Sequence, residues 1–295
     1  MSGSGKTSIR FAASTQCRGR AALLLALLAL ITIAIAATVA ACGSAAKPRA
    51  TTTAATDASA LLRASAVAMD TKAKTAAFSM KMSSATTLNG ATSTTSMNIA
   101  GDIADNGESL RGKGTVTVSG AGTVGVEMIG VTSEGYMVAY IRVAGVTGWE
   151  QLPRDQSDIT TTSAQDTEAM LSAGKRLQIV RTESVGGVLC DVVQVDLDVA
   201  AYDKASKSLG LADSVSKELH ISMADAASAL QNATGTELIW IGRDDHLQYR
   251  ETRDYVVDAG AQGKYEGGLD GRLGLRQGGR PADHGAAGLA DDDLR

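Results

Sequence analysis

Aromatic residues are scarce in this chain, 3% of 295 positions, and cysteines and histidines number three each. Each shortage removes a class of function. The formal net charge of −4 argues against a nucleic-acid partner, which needs a clustered basic face. The three histidines, His220, His246 and His284, stand far apart, with no His-x-x-x-His or cysteine pair to make a metal site. No Gly-x-Ser-x-Gly elbow occurs and no Ser/His/Asp set is recognisable from spacing. The sequence therefore makes no positive case for an enzyme, a metal or a cofactor. Two short motifs only imitate nucleotide sites. Gly3-Ser4-Gly5-Lys6-Thr7 echoes the end of a P-loop but lacks its first glycine and a preceding strand. Gly120-Ala121-Gly122-Thr123-Val124-Gly125 fits G-x-G-x-x-G, yet a strand follows where a dinucleotide site requires a helix.

What is present begins at the N-terminus. Lys6, Arg10, Arg18 and Arg20 make a positive start, and an apolar run from Ala21 to Ala41 follows, broken only by Thr32 and Thr38. Val39-Ala40-Ala41-Cys42 ends it. A basic start, an apolar stretch and small residues mark a secretory signal, and the terminal cysteine resembles the lipobox of bacterial lipoproteins. That resemblance implies cleavage before Cys42, acylation of its thiol (palmitate among the chains) and residence on the outer face of the cell membrane. Ser44 to Thr56, rich in Ala, Thr and Ser, reads as a flexible tether. With Cys17 leaving and Cys42 lipidated, Cys190 alone remains, so no internal disulfide is available. Its place in an apolar run suits a buried, inert thiol.

From Asp57 the pattern is helical: Asp57 is placed to N-cap, and Leu61, Leu62, Ser65, Ala66 and Met69 share a side. The period then falls to two. Phe78–Met82, Ser96–Ala100 and Thr115–Ser119 alternate, with turn signals at Asn89-Gly90 and Asn106-Gly107. Val124–Ile129 and Tyr136–Val143 continue the series. A helix is expected over Gln165–Ala173, strands over Leu177–Glu183 and Val188–Leu197 around Gly186-Gly187, and a short helix from Asp198 to Gly210. Ser222 and Asp225 form a capping box before an Ala-rich helix, and strands Glu237–Gly242 and Leu247–Val257 close the pattern. The order predicts an α+β fold around one large antiparallel sheet. From Gly260 the chain is Gly-rich with scattered Arg, and it is expected to be disordered.

The lipobox, tether, N-terminal helix, strand run, Gly148-Trp149 before Leu152-Pro153, and the stretch Leu238-Ile239-Trp240-Ile241-Gly242-Arg243-Asp244-Asp245-His246-Leu247 together resemble actinobacterial lipoproteins of the LppX/LprG type. These are relatives of the lipoprotein carrier LolA. The likeness spans roughly residues 57–258. It implies a curved antiparallel half-barrel wrapped over helices, with acyl chains of lipids or lipidated ligands held in an apolar cavity. Methionine, adaptable and polarizable, suits such a lining. The apolar positions expected to line it are Met80, Met82, Met97, Ile99, Met128, Val138, Tyr140, Val193, Met223 and Trp240. One departure stands out. Relatives of this type close with a further strand after the position of Val257, where this chain has its Gly/Arg stretch. The expected organisation is a signal peptide over 1–41, lipidated Cys42 and tether over 42–56, a LolA-like lipid-binding domain over 57–259, and a disordered tail over 260–295. An envelope sensor or scaffold on the same fold, with protein partners and no lipid cargo, is the alternative reading.

Overall fold

The structure, a computed structural model, describes residues 57–73, 75–104, 109–133, 136–151, 163–206 and 210–275. The expectations for the signal peptide, Cys42, the tether, the Asn106-Gly107 turn and residues 276–295 lie outside the described residues.

Helix α1 (Ala58–Lys72) starts where Asp57 caps it, its carboxylate accepting from the Ser59 amide at 2.9 Å. Leu61, Leu62, Ser65, Ala66 and Met69 are its buried side. Five strands follow as a meander: β1 (Ala76–Leu88), β2 (Ala91–Ala104), β3 (Ser109–Val118), β4 (Gly122–Ser133) and β5 (Tyr136–Val143). Asn89 and Gly90 join the first two with φ of 50° and 78°, the two positive values that a tight hairpin turn requires. A two-residue strand, β6 (Glu150–Gln151), pairs with β5. Then come α2 (Ser163–Ala173), β7 (Gly174–Val185), β8 (Val188–Asp198), α3 (Val199–Ser206), α4 (Leu211–Leu219), α5 (Met223–Leu230), β9 (Thr234–Gly242), β10 (Gln248–Asp258) and β11 (Lys264–Leu275).

All eleven strands form one open antiparallel sheet in the order β6-β5-β4-β3-β2-β1-β11-β10-β9-β8-β7. With helices packed on it, this is the α+β class that the element order implies. Two sequence expectations need correction. Gly210 does not end a helix; its left-handed conformation precedes α4, an amphipathic helix that the sequence reading leaves unassigned. The larger correction concerns residues 260–275. Far from disordered, Lys264–Leu275 is β11, the strand that joins the two halves of the sheet. It pairs with β1 from Ala76↔Leu275 to Thr87↔Lys264, and with β10 from Arg250↔Arg272 to Asp258↔Lys264. Its alternation is thin because glycines hold two inward positions, giving Tyr265, Gly267, Leu269, Gly271 and Leu273. At Gly267 the missing side chain is filled from across the ladder: a Cβ there would come within 2.3 Å of the Tyr255 ring.

The close pairing of β2 and β3 also depends on missing side chains. A Cβ on Gly101 would lie 1.8 Å from the Arg111 carbonyl oxygen, and one on Gly114 would lie 1.9 Å from that of Asn98. β2 and β3 therefore approach more closely than any larger residue permits.

Candidate functional site

Strand pairing sorts the inner face of the sheet into two compartments. The helices lie over β7–β11 and one end of β1. Under them Val193, Val195, Ile239, Ile241, Val257 and Tyr265 meet Leu61, Leu62, Met170, Tyr202 and Val215 in one apolar cluster. The second cluster is made entirely by strands. Phe78, Met80 and Met82 of β1 join Met97 and Ile99 of β2, Val116 of β3, Val126 and Met128 of β4, Ile141 of β5 and Leu269 of β11. A third cluster, with Cys190, Val192 and Trp240, sits against the C-terminal end of α1.

The expected lining residues divide accordingly. Met80, Met82, Met97, Ile99 and Met128 are brought together in the strand-built cluster, each buried. The other five are not with them. On β5 the register Met128↔Ile141 and Gly130↔Ala139 turns Ala139, Ile141 and Val143 inward, and Val138 and Tyr140 face the opposite side. Successive side chains of a strand alternate faces, and this strand is apolar on both, so its composition gives no parity. Val193 belongs to the helix-covered cluster. Trp240 pairs with Val192, its neighbours Ile239 and Ile241 pointing to the other face. Met223 is the first residue of α5 and 51% exposed. Cys42 lies outside the described residues. Cys190 is fully buried, and burial pushes its thiol up to about 11, the state of an unreactive cysteine.

Between the two inner compartments runs a charged seam that the sequence reading missed. Across neighbouring strands, Glu237, Arg253, Leu269, Met82 and Met97 form one row. It passes from ion pair to apolar surface. Arg253 Nη2 donates to Glu237 at 3.1 Å and to Glu251 at 3.0 Å. Its Nε faces the second Glu237 oxygen at 3.1 Å, at an angle outside hydrogen-bond geometry. The guanidinium stands 5.1 Å over the Tyr202 ring, and the Tyr202 hydroxyl donates to Asp166 at 2.9 Å. Sheet and helices α2 and α3 meet there. Burial pushes the Glu237 carboxyl up to about 8, against the pull of Arg253 and with the repulsion of Glu251. Two carboxylates share one guanidinium, so one of them keeps its proton most readily. Burial works against the charge on Arg253 too, yet Glu237 and Glu251 outweigh it and hold the guanidinium charged. Alternation could have flagged Arg253 alone, which shares its parity with Tyr249, Tyr255 and Val257; the strand of Glu237 is apolar on both parities.

Among the described residues, no cluster of His, Cys, Asp or Glu has the make-up of a metal site, and no helix is long and apolar enough to cross a membrane. The chain matches no protein-family model and no curated protein sequence. Among solved structures, the lipoprotein LppX of Mycobacterium tuberculosis is 14% identical at a TM-score of 0.37, over 73% of this chain and 92% of that one. LprF from Mycobacterium bovis is 13% identical at 0.38, over 73% and 90%. A LolA-superfamily protein from Nitrosomonas europaea is 11% identical at 0.27, over 76% and 95%.

Proposed function

We propose that the chain is an exported lipoprotein, anchored through Cys42, that binds or carries acyl lipids against the strand-built inner face of β1–β5. One observation carries this reading. Four methionines, Met80, Met82, Met97 and Met128, converge with Phe78 and Ile99 in a cluster to which, among the described residues, no helix contributes. Thioether chains change shape at little cost, which suits a surface that must accept and release a flexible guest. Each buried methylene of such a guest contributes ~0.8 kcal/mol, so acyl chains need no polar contact to hold them.

The full chain is expected to accelerate, saturably, the movement of a fluorescent acyl lipid from donor to acceptor vesicles. A transfer rate equal to that of protein-free vesicles would sink the carrier reading. Loss of lipid transfer together with capture of a stoichiometric envelope protein would favour the scaffold instead. For the anchor, Cys42→Ser is expected to abolish labelling of the protein by a palmitate analogue, with the domain's unfolding midpoint unchanged. Undiminished labelling would place the lipid elsewhere. Two or more acyl chains at this position give stable attachment, where a single chain gives a marginal one.

A further inference from the structure

The inner face has a gap at the seam between its two compartments. Gly271 of β11 stands between Met80 of β1 and Glu251 of β10, and a Cβ placed on it meets no atom within 4 Å. The recess above it, about 30 Å³ in volume, is walled by Phe78, Met80, Leu269 and Leu273, with Glu251 and Gln248 on its polar side. Ser79, Arg250 and Arg272 complete the lining; the two arginines turn their guanidinium groups toward Asp270, at 2.9 and 3.8 Å. One Glu251 oxygen accepts from Arg253 at 3.0 Å and the other from Gln248 at 2.8 Å. A carboxylate offers about four lone-pair sites, so Glu251 retains acceptor capacity. A recess needs only ~10–15 Å³ to admit one water, so this one has room for a small polar group. A space of that size, apolar on most sides and acceptor on one, fits a single hydroxyl or amide N–H on an otherwise apolar molecule.

We propose that the Gly271–Glu251 recess is a donor-recognising subsite of the cargo site, selecting acyl lipids with a free hydroxyl or amide N–H beside their chains over fully esterified ones. This rests on the acyl-lipid reading above. A phosphate headgroup is a poor fit, because it would face the Glu251 carboxylate and find Arg253 already engaged by two acids. A hydrogen bond to a shielded carboxyl group is worth about tenfold in affinity.

The test compares dioleoylglycerol with trioleoylglycerol, each supplied in phosphatidylcholine vesicles to the full chain, with lipid on the captured protein measured by mass spectrometry. The wild-type protein is expected to take up dioleoylglycerol about tenfold over trioleoylglycerol. Gly271→Ala sets a methyl in open space, so its unfolding midpoint should match the wild type while the preference falls toward unity. Equal uptake of both lipids by the wild type would overturn the subsite and leave the carrier reading standing. A preference that survives in Gly271→Ala would also overturn it. Uptake of neither lipid would overturn both readings together.

Discussion

A chain ending at Gly263 is expected to lose its cooperative unfolding transition altogether. The deletion removes β11, whose ladder to β1 runs from Ala76↔Leu275 to Thr87↔Lys264 and whose ladder to β10 runs from Arg250↔Arg272 to Asp258↔Lys264. Among the described residues, no other strand pairs the meander β1–β6 with the group β7–β10. Both halves would gain a long unpaired edge, and the two inner core clusters would each lose a buried side chain, Tyr265 from one and Leu269 from the other. Domain stability is about 5–15 kcal/mol, far less than such a loss. Urea titration followed by circular dichroism checks the point. A truncated chain that unfolds with the full chain's midpoint would show that the halves hold together without β11.

Arg253→Met is expected to destabilise the fold by about 3 kcal/mol, the cost of leaving two buried or part-buried carboxyl groups without the guanidinium hydrogen bond that each accepts. The side chains of Arg253 and Glu237 are 10% and 0% exposed, and Glu251 would lose the same partner. Glu237→Gln is expected to cost much less, about 1 kcal/mol at neutral pH, because burial already favours the protonated acid. The same seam sets a pH dependence. The Glu237 carboxyl is raised from an ordinary 4.5 to about 8 in the folded chain. Between those values the folded state holds a proton that the unfolded chain has released, so stability declines as pH rises through that window. Glu237→Gln should remove that part of the slope. Urea midpoints across the window measure both effects, and a slope identical in the wild type and Glu237→Gln would place the titration on another group.

Local chemistry was legible wherever a side chain signals to its own neighbours. Asp57 caps α1, and Ser222 caps α5 by accepting from the Asp225 amide at 3.1 Å. Asn89-Gly90 makes its turn, and the alternation in β1 and β2 put Met80, Met82, Met97 and Ile99 on one buried face. What stayed hidden was whatever a partner strand decides. Tyr136–Val143 is apolar on both parities, so only pairing with β4 separates Ile141 from Tyr140. Lys264–Leu275 has glycine at two of its inward positions, which silences the periodicity of a strand held on both sides. Glu237 and Arg253 read singly as surface charges, and their meeting depends on a cross-strand register that neither stretch encodes alone. Met223, drawn toward the interior by its apolar side chain, sits at a helix start in solvent. The strand-built half of the candidate site was therefore visible, and the ionic seam beside it was not.

The place of β11 also has a consequence for the order of folding. The hairpins β1–β2 through β4–β5, and β7–β8, close over short loops and can form as soon as their residues exist. The β1–β11 ladder joins nearly the first described residues to the last, and closing so long a loop comes late. Until then the long edge of β1 stands open, a template for the wrong strand of another molecule. The slowest step in making this sheet is thus also its period of greatest exposure to aggregation, and both end when the final twelve-residue strand slides into its slot.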